Sequence, residues 1–244
     1  MEKQSDSVYN NHMTVMQILS LVFLGLFIAA SVVQLVASAK KTKLLEYICR
    51  PIQQAFLLSA ALMALIPLLP DSRNIIVCSS CSFAAALASS LITFAPKQKN
   101  TLITATLLTE ASVLSWLPLL MPSFKLFALP AVLTVLIAVA YLALIIVFYI
   151  KLIGKRTAAK TAGLALFFIP PALLHYAAVL TLFGQPKVYS IVLAAGFTGL
   201  TAAHALTAHG FFARVSYAER LVRISLQTLS TTTIAAGFVI MVML

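Results

Sequence analysis

The chain has 244 residues, of which 61% are apolar and 9% charged, with a formal net charge of +11. A soluble domain carries roughly 25% charged residues, and the apolar runs here leave no gap that would hold one. The composition excludes a soluble globular protein, and the runs lack the alternation of transmembrane β-strands.

An apolar run of about 20 residues crosses a hydrocarbon core of roughly 30 Å as a helix, the form that pairs every backbone group inside lipid. Eight spans are predicted, at 14–37, 52–69, 74–95, 101–121, 126–150, 160–183, 188–212 and 221–244. The joins are short and carry proline, glycine or charge. The expected architecture is all-α, a polytopic integral membrane protein folded as one eight-helix transmembrane domain over residues 1–244.

The first span ends in VASAKK, similar to a small-residue cleavage site, but its apolar stretch exceeds the 7–15 residues of a signal peptide. It is read as a retained helix. The stretch KKTKLLEYICRPIQQ follows and leads into span 2. Its lysines mark topology, while Arg50, next to the expected helix start at Pro51, can hold a phosphate. Gln54 belongs to the same stretch. Span 3 carries CSSC, in which Cys78 and Cys81 share a helix face. They form either a redox pair or half of a metal site, or are two small apolar residues packed in a helix. No second cysteine pair or nearby histidine completes a zinc set, so neither metal nor cofactor is expected.

Ionisable residues inside spans are costly, which makes each a candidate functional residue. Span 4 holds Glu110, flanked by Thr106 and Thr109. Pro130 bends span 5, and Pro170 and Pro171 kink span 6. His175, followed by Tyr176, sits near the outer end of span 6, where an interfacial role suffices. Span 7 contains GFTGLTAAHALTAHGFF, with His204 deep and His209 near the interface. Five residues separate them, about 140° around the helix, so they do not share a face. Thr201 and Thr207 continue a polar stripe beside His204. Span 8 contributes SLQTLSTTT, including Gln227, either as interhelical glue or as cavity lining.

Of the 17 Lys and Arg, 13 fall around the joins after spans 1, 3, 5 and 7, counting Lys160 and Arg223 in the span that follows. Positive charge marks the cytoplasmic side, which predicts a cell-membrane protein with both termini non-cytoplasmic. The basic balance reports topology and anionic headgroups, not nucleic acid. At about 1.5 Å per residue, Glu110 and His204 both lie roughly 12–14 Å from the cytoplasmic ends of their helices, and Gln227 roughly 10–12 Å. With Ser90 they define an expected polar layer. Glu110 and His204 are there either to fix packing or to act as a general acid and base.

Eight short spans with a basic-Pro pair opening span 2 resemble the YhhN-like lysoplasmalogenase family. The likeness lies in Arg50-Pro51 with IQQAFLLSAALMALIP, in GFTGLTAAH from Gly196 to His204, and in SLQTLSTTTIAAG with Gln227. It implies hydrolysis of the vinyl-ether bond of a lysolipid by two intramembrane aspartates. Those aspartates are replaced here: one position falls at Ser89 or Ser90, the other on His204, and a family histidine falls near Glu110. Aligning FAAALASSLIT (Phe83–Thr93) with FTGLTAAHALT (Phe197–Thr207) pairs Ser90 with His204 and points to a parallel 4+4 duplication. The expected site has His204 and Glu110 as catalytic groups, with Ser89, Ser90, Thr201, Gln227, Arg50 and Gln54 binding a membrane lipid or lysolipid. The rival readings are a non-catalytic lipid- or amphiphile-binding relative and a small-solute transporter.

Overall fold

The computed structural model describes residues 2–69, 71–92, 99–120, 158–184, 186–212 and 216–243, with scattered helical positions between Val132 and Val147. The helices are α1 (Glu2–Ala39), α2 (Lys43–Leu65, continued by a 3-10 turn at Ile66–Leu68), α3 (Arg73–Ile92), α4 (Lys99–Leu114), the short α5 (Leu117–Leu120), α6 (Ala158–Gly184), α7 (Val188–Phe212) and α8 (Tyr217–Met243). No strand occurs among the described residues. The span expected at 126–150 lies, apart from the scattered positions, outside them.

Two boundaries differ from expectation. The join expected over 39–51 is a tight turn at Lys40–Thr42, because Lys41 takes a left-handed φ of 59° and both the amide and hydroxyl of Thr42 donate to the carbonyl of Ala37 at 2.9 and 3.0 Å. Helix α2 therefore starts at Lys43, with Pro51 inside it. Arg50 does not stand at a helix start, so no helix N-terminus helps it hold a phosphate. It lies in the third turn, its guanidinium 5.8 Å from the ring centroid of Tyr47. The fourth span is broken after Leu114 and resumes at Leu117. Pro118 has no N–H to give to the carbonyl of Leu114, so the α-helical ladder cannot run through.

Consecutive helices pack around a closed ring in the order α1, α2, α3, α4, α6, α7, α8, and α8 returns to α1. The α7–α8 contact is a close one, built on small residues. A Cβ added at Gly196 would stand 2.7 Å from Ile234 Cγ1 and 3.0 Å from its backbone nitrogen, and one at Gly199 would collide with the hydroxyl of Ser230. Phe83, Leu174, Leu193, Phe197 and Phe238 are buried inside the ring. Trp116 stacks on Phe238 at 4.9 Å between centroids and meets Phe83 edge-on at 6.0 Å.

The outer surface of the ring exposes Leu21, Ile28, Leu91, Leu107, Ile191 and Leu229. Five helical stretches are long and apolar enough to cross a membrane: Val15–Ala39, Tyr47–Leu68, Arg73–Ile92, Val188–Thr207 and Tyr217–Met243, with shorter apolar ones at Thr104–Leu120 and Ile169–Gly184. Helices that satisfy their own backbone while turning apolar side chains outward are matched to lipid. The chain is an α-helical, multi-pass, membrane-embedded protein.

Candidate functional site

The ring encloses a cavity of about 150 Å³. Helix α1 contributes Phe27 and Gln34 to its wall, α2 Arg50, Gln53 and Gln54, and α3 Ser82, Phe83, Ala86, Ser89 and Ser90. Thr109, Ser112, Val113 and Trp116 line it from α4 and the turn that follows, and Leu200 and His204 from α7. Helix α8 adds Ile224, Gln227, Thr228, Thr231 and Ile234. A second cavity, about 170 Å³, shares Arg50, Ser89, Thr109, His204 and Gln227 with the first and adds Thr106, Thr207 and Arg223.

Composition changes along the first cavity. Arg50, Gln53, Gln54, Ser89, Ser90 and His204 lie towards the helix ends that carry the basic joins, while Phe83, Val113, Trp116 and Ile234 lie further along their helices from those ends. Helix rise alone puts Trp116 about 25 Å from the start of α4, against about 15 Å for Thr109. Charged and amide side chains lie towards one end and aromatic ones towards the other, with hydroxyls such as Ser82, Ser112 and Thr231 along the length.

His204 and Glu110 are brought together. Both are buried, and His204 Nε2 lies 3.7 Å from Glu110 Oε1. The other ring nitrogen, Nδ1, is 2.9 Å from the carbonyl oxygen of Leu200 one turn earlier. A carbonyl can only accept, so Nδ1 carries the hydrogen and Nε2 is the nitrogen that can take up or give a proton. Neither carboxyl oxygen of Glu110 nor His204 Nε2 has a hydrogen-bond partner among the described residues. Buried polar groups are nearly always paired, so three such atoms in one place mark a site whose chemistry the helix packing does not use up. Glu110 lines neither cavity and meets them through His204.

The binding candidates divide. Arg50, Gln54, Ser89, Ser90 and Gln227 all line the first cavity. Thr201 does not: its hydroxyl donates to Phe197 O at 2.8 Å and lies 3.2 Å from Pro171 O on α6. Helix α6 covers that side of α7, so the polar stripe beside His204 turns into a helix contact. Ser89 lines the cavity but is engaged in packing, with its Oγ 2.7 Å from Ala105 O and 2.8 Å from Thr109 Oγ1 on α4. Ser90 donates back to Ala86 O at 2.9 Å.

The remaining histidines have local partners. His175 Nε2 is 2.8 Å from Thr198 Oγ1, which itself donates to Ala194 O, so the imidazole is the donor between α6 and α7. His209, read as lying near the interface, is part-exposed and pairs with Glu219 on α8 through Nδ1 and Oε1. Cys49, Cys78 and Cys81 are free thiols, and among the described residues no group of three His, Cys, Asp or Glu side chains could hold a metal.

Sequence reasoning missed Gln34, Gln53 and Arg223. Gln53 and Gln54 follow Arg50 by three and four residues, and Gln227 follows Arg223 by four. Those spacings put each set on one helix face and were the available signal. Compared with known proteins, the chain matches no family model, no curated protein and no solved structure.

Proposed function

We propose that this chain is a divergent lysoplasmalogenase-like membrane hydrolase, cleaving the ether linkage of a lysolipid in a cavity open to the cytoplasmic side. Its single strongest support is the approach of His204 Nε2 to Glu110 Oε1, 3.7 Å apart, beside a cavity that grades from basic to aromatic. In the family that the sequence resembles, an aspartate belongs at position 204 and a histidine near position 110. Here the carboxyl and the imidazole have changed places, and the pair is retained.

Vinyl-ether hydrolysis needs one proton donor and one water. A proton adds to the outer carbon of the C=C bond, and water adds to the carbon attached to oxygen. The hemiacetal then splits into a fatty aldehyde and a glycerophospho-alcohol, returning the proton. His204 faces the cavity and can pass a proton through Nε2 to the substrate and take it back from the attacking water, while Glu110 supplies or receives it from behind. Arg50 and Gln227, with Arg223 at the second cavity, hold the polar end of the substrate, and the aromatic end of the first cavity takes the start of the chain. The reading includes eight spans, a parallel 4+4 duplication and non-cytoplasmic termini.

One observation favours a non-catalytic, lipid-binding relative instead. The hydroxyl of Ser89, where a second aspartate belongs, is held by Ala105 and Thr109. Turnover decides between the two readings. Purified protein supplied with a lysoplasmalogen should release fatty aldehyde, and His204→Ala or Glu110→Ala should each lower the rate by about 10²-fold or more, the usual scale of a lost acid or base. Release unaffected by either substitution refutes the site, and no release from the native protein refutes the hydrolase.

A further inference from the structure

Two atoms in the same cavity are not accounted for by the acid–base pair. Gln53 Nε2 and Gln54 Oε1 are buried without a hydrogen-bond partner among the described residues, and both side chains line the wall beside Arg50. Gln53 as a whole is only 4% exposed. An amide left unpaired so deep is costly, so a group that completes it on binding is strongly selected.

The two atoms ask for opposite partners. The Gln53 amide nitrogen donates and needs an acceptor; the Gln54 carbonyl oxygen accepts and needs a donor. A phosphate or an ester carbonyl offers acceptors only, and an ammonium offers donors only. A hydroxyl is the smallest group that offers both. The cavity volume of about 150 Å³ matches that of a cavity which takes up a benzene-sized molecule. That leaves room for a glycerol unit.

We infer that Gln53 and Gln54 form a hydroxyl-reading subsite that recognises the free glycerol hydroxyl of a single-chain lipid and rejects the same lipid once that oxygen is capped. The inference rests on the lysolipid reading and adds its specificity residues. A site built around a hydroxyl discriminates strongly against an analogue without its hydrogen, because the buried amide is then left unpaired.

The test uses binding, so it does not depend on turnover. The probes are a saturated 1-O-alkyl glycerophosphocholine with a free sn-2 hydroxyl and its sn-2 O-methyl ether, each titrated against the full chain in nanodiscs. The free hydroxyl should bind about tenfold or more tightly than the methyl ether, and Gln53→Leu with Gln54→Leu should bring the two within about twofold. Equal binding of both probes by the native protein overturns the subsite while leaving the lysolipid reading intact. A preference that survives in the double variant overturns the assignment to these two residues. Binding of neither probe overturns the lysolipid reading and the subsite with it. The comparison of probes on the native chain stands even where the double variant does not fold.

Discussion

Replacing Glu110 and His204 together by apolar residues of similar size should stabilise the protein while abolishing turnover. The argument starts from the three unpartnered atoms, two on Glu110 and one on His204. A buried polar group without a partner costs about 1–3 kcal/mol, so one carboxyl and one imidazole nitrogen together cost about 2–6 kcal/mol. Their mutual attraction at 3.7 Å offsets part of this, because the contact is longer than a hydrogen bond. Glu110→Met with His204→Leu removes both groups and leaves similar volume, so neither a large cavity nor a stranded partner results. The expected gain is about 1–3 kcal/mol, read as a rise in the midpoint of equilibrium unfolding in mixed micelles. Buried ion pairs replaced by apolar residues of like size show gains of this order. A pair kept only to fix helix packing predicts the opposite sign. A double variant less stable than the native protein by more than about 1 kcal/mol would refute the claim that these groups are held ready for a substrate.

Exchanging the two groups, Glu110→His with His204→Glu, should recover part of the turnover that either single substitution removes, because a carboxyl and an imidazole remain opposed across α4 and α7; aldehyde release from the single and double variants checks this. Gly196→Val places a branched side chain where Ile234 Cγ1 and its backbone nitrogen already stand within 3.0 Å of an added Cβ, and should destabilise by about 1–3 kcal/mol in the same unfolding assay. Thr201→Val removes a contact to Pro171 O on α6 and should cost about 0.6 kcal/mol, the average for an interhelical hydrogen bond in a membrane, with turnover unchanged.

The long apolar runs made the helices legible, and the regular rise of a helix made depth legible. Glu110 and His204 were placed at one level by counting residues, and the structure brings them to 3.7 Å. Facing direction was not legible, since it depends on which neighbour covers which side. Thr201 is three residues from His204 and looks like part of the same stripe, yet α6 takes its hydroxyl at Pro171. Backbone chemistry decided other differences. The left-handed Lys41 turned a thirteen-residue stretch, read as a join, into a short corner followed by helix, and Pro118 broke a span that composition reads as continuous. Gln34 and Gln53 escaped notice because an amide inside an apolar run reads as a boundary signal until its burial, 3% and 4% exposed, is known.

The hydrolysis proposed above has to bring water and lipid together inside one ring of helices. Hydrolysis needs water at the proton donor and an alkyl chain leaving in another direction. The charged and amide groups lie at the Arg50 and Arg223 end, where the two cavities share His204. At the other end Phe83, Trp116 and Phe238 stack and meet edge-on. Trp116 lies in the turn between α4 and α5, the break that Pro118 imposes on the helical ladder, and from there its indole reaches Phe83 and Phe238. On the proposed reading, the basic and amide groups of the cavity take the polar end of the substrate, and the aromatic cluster of Phe83 and Trp116 takes the start of its chain.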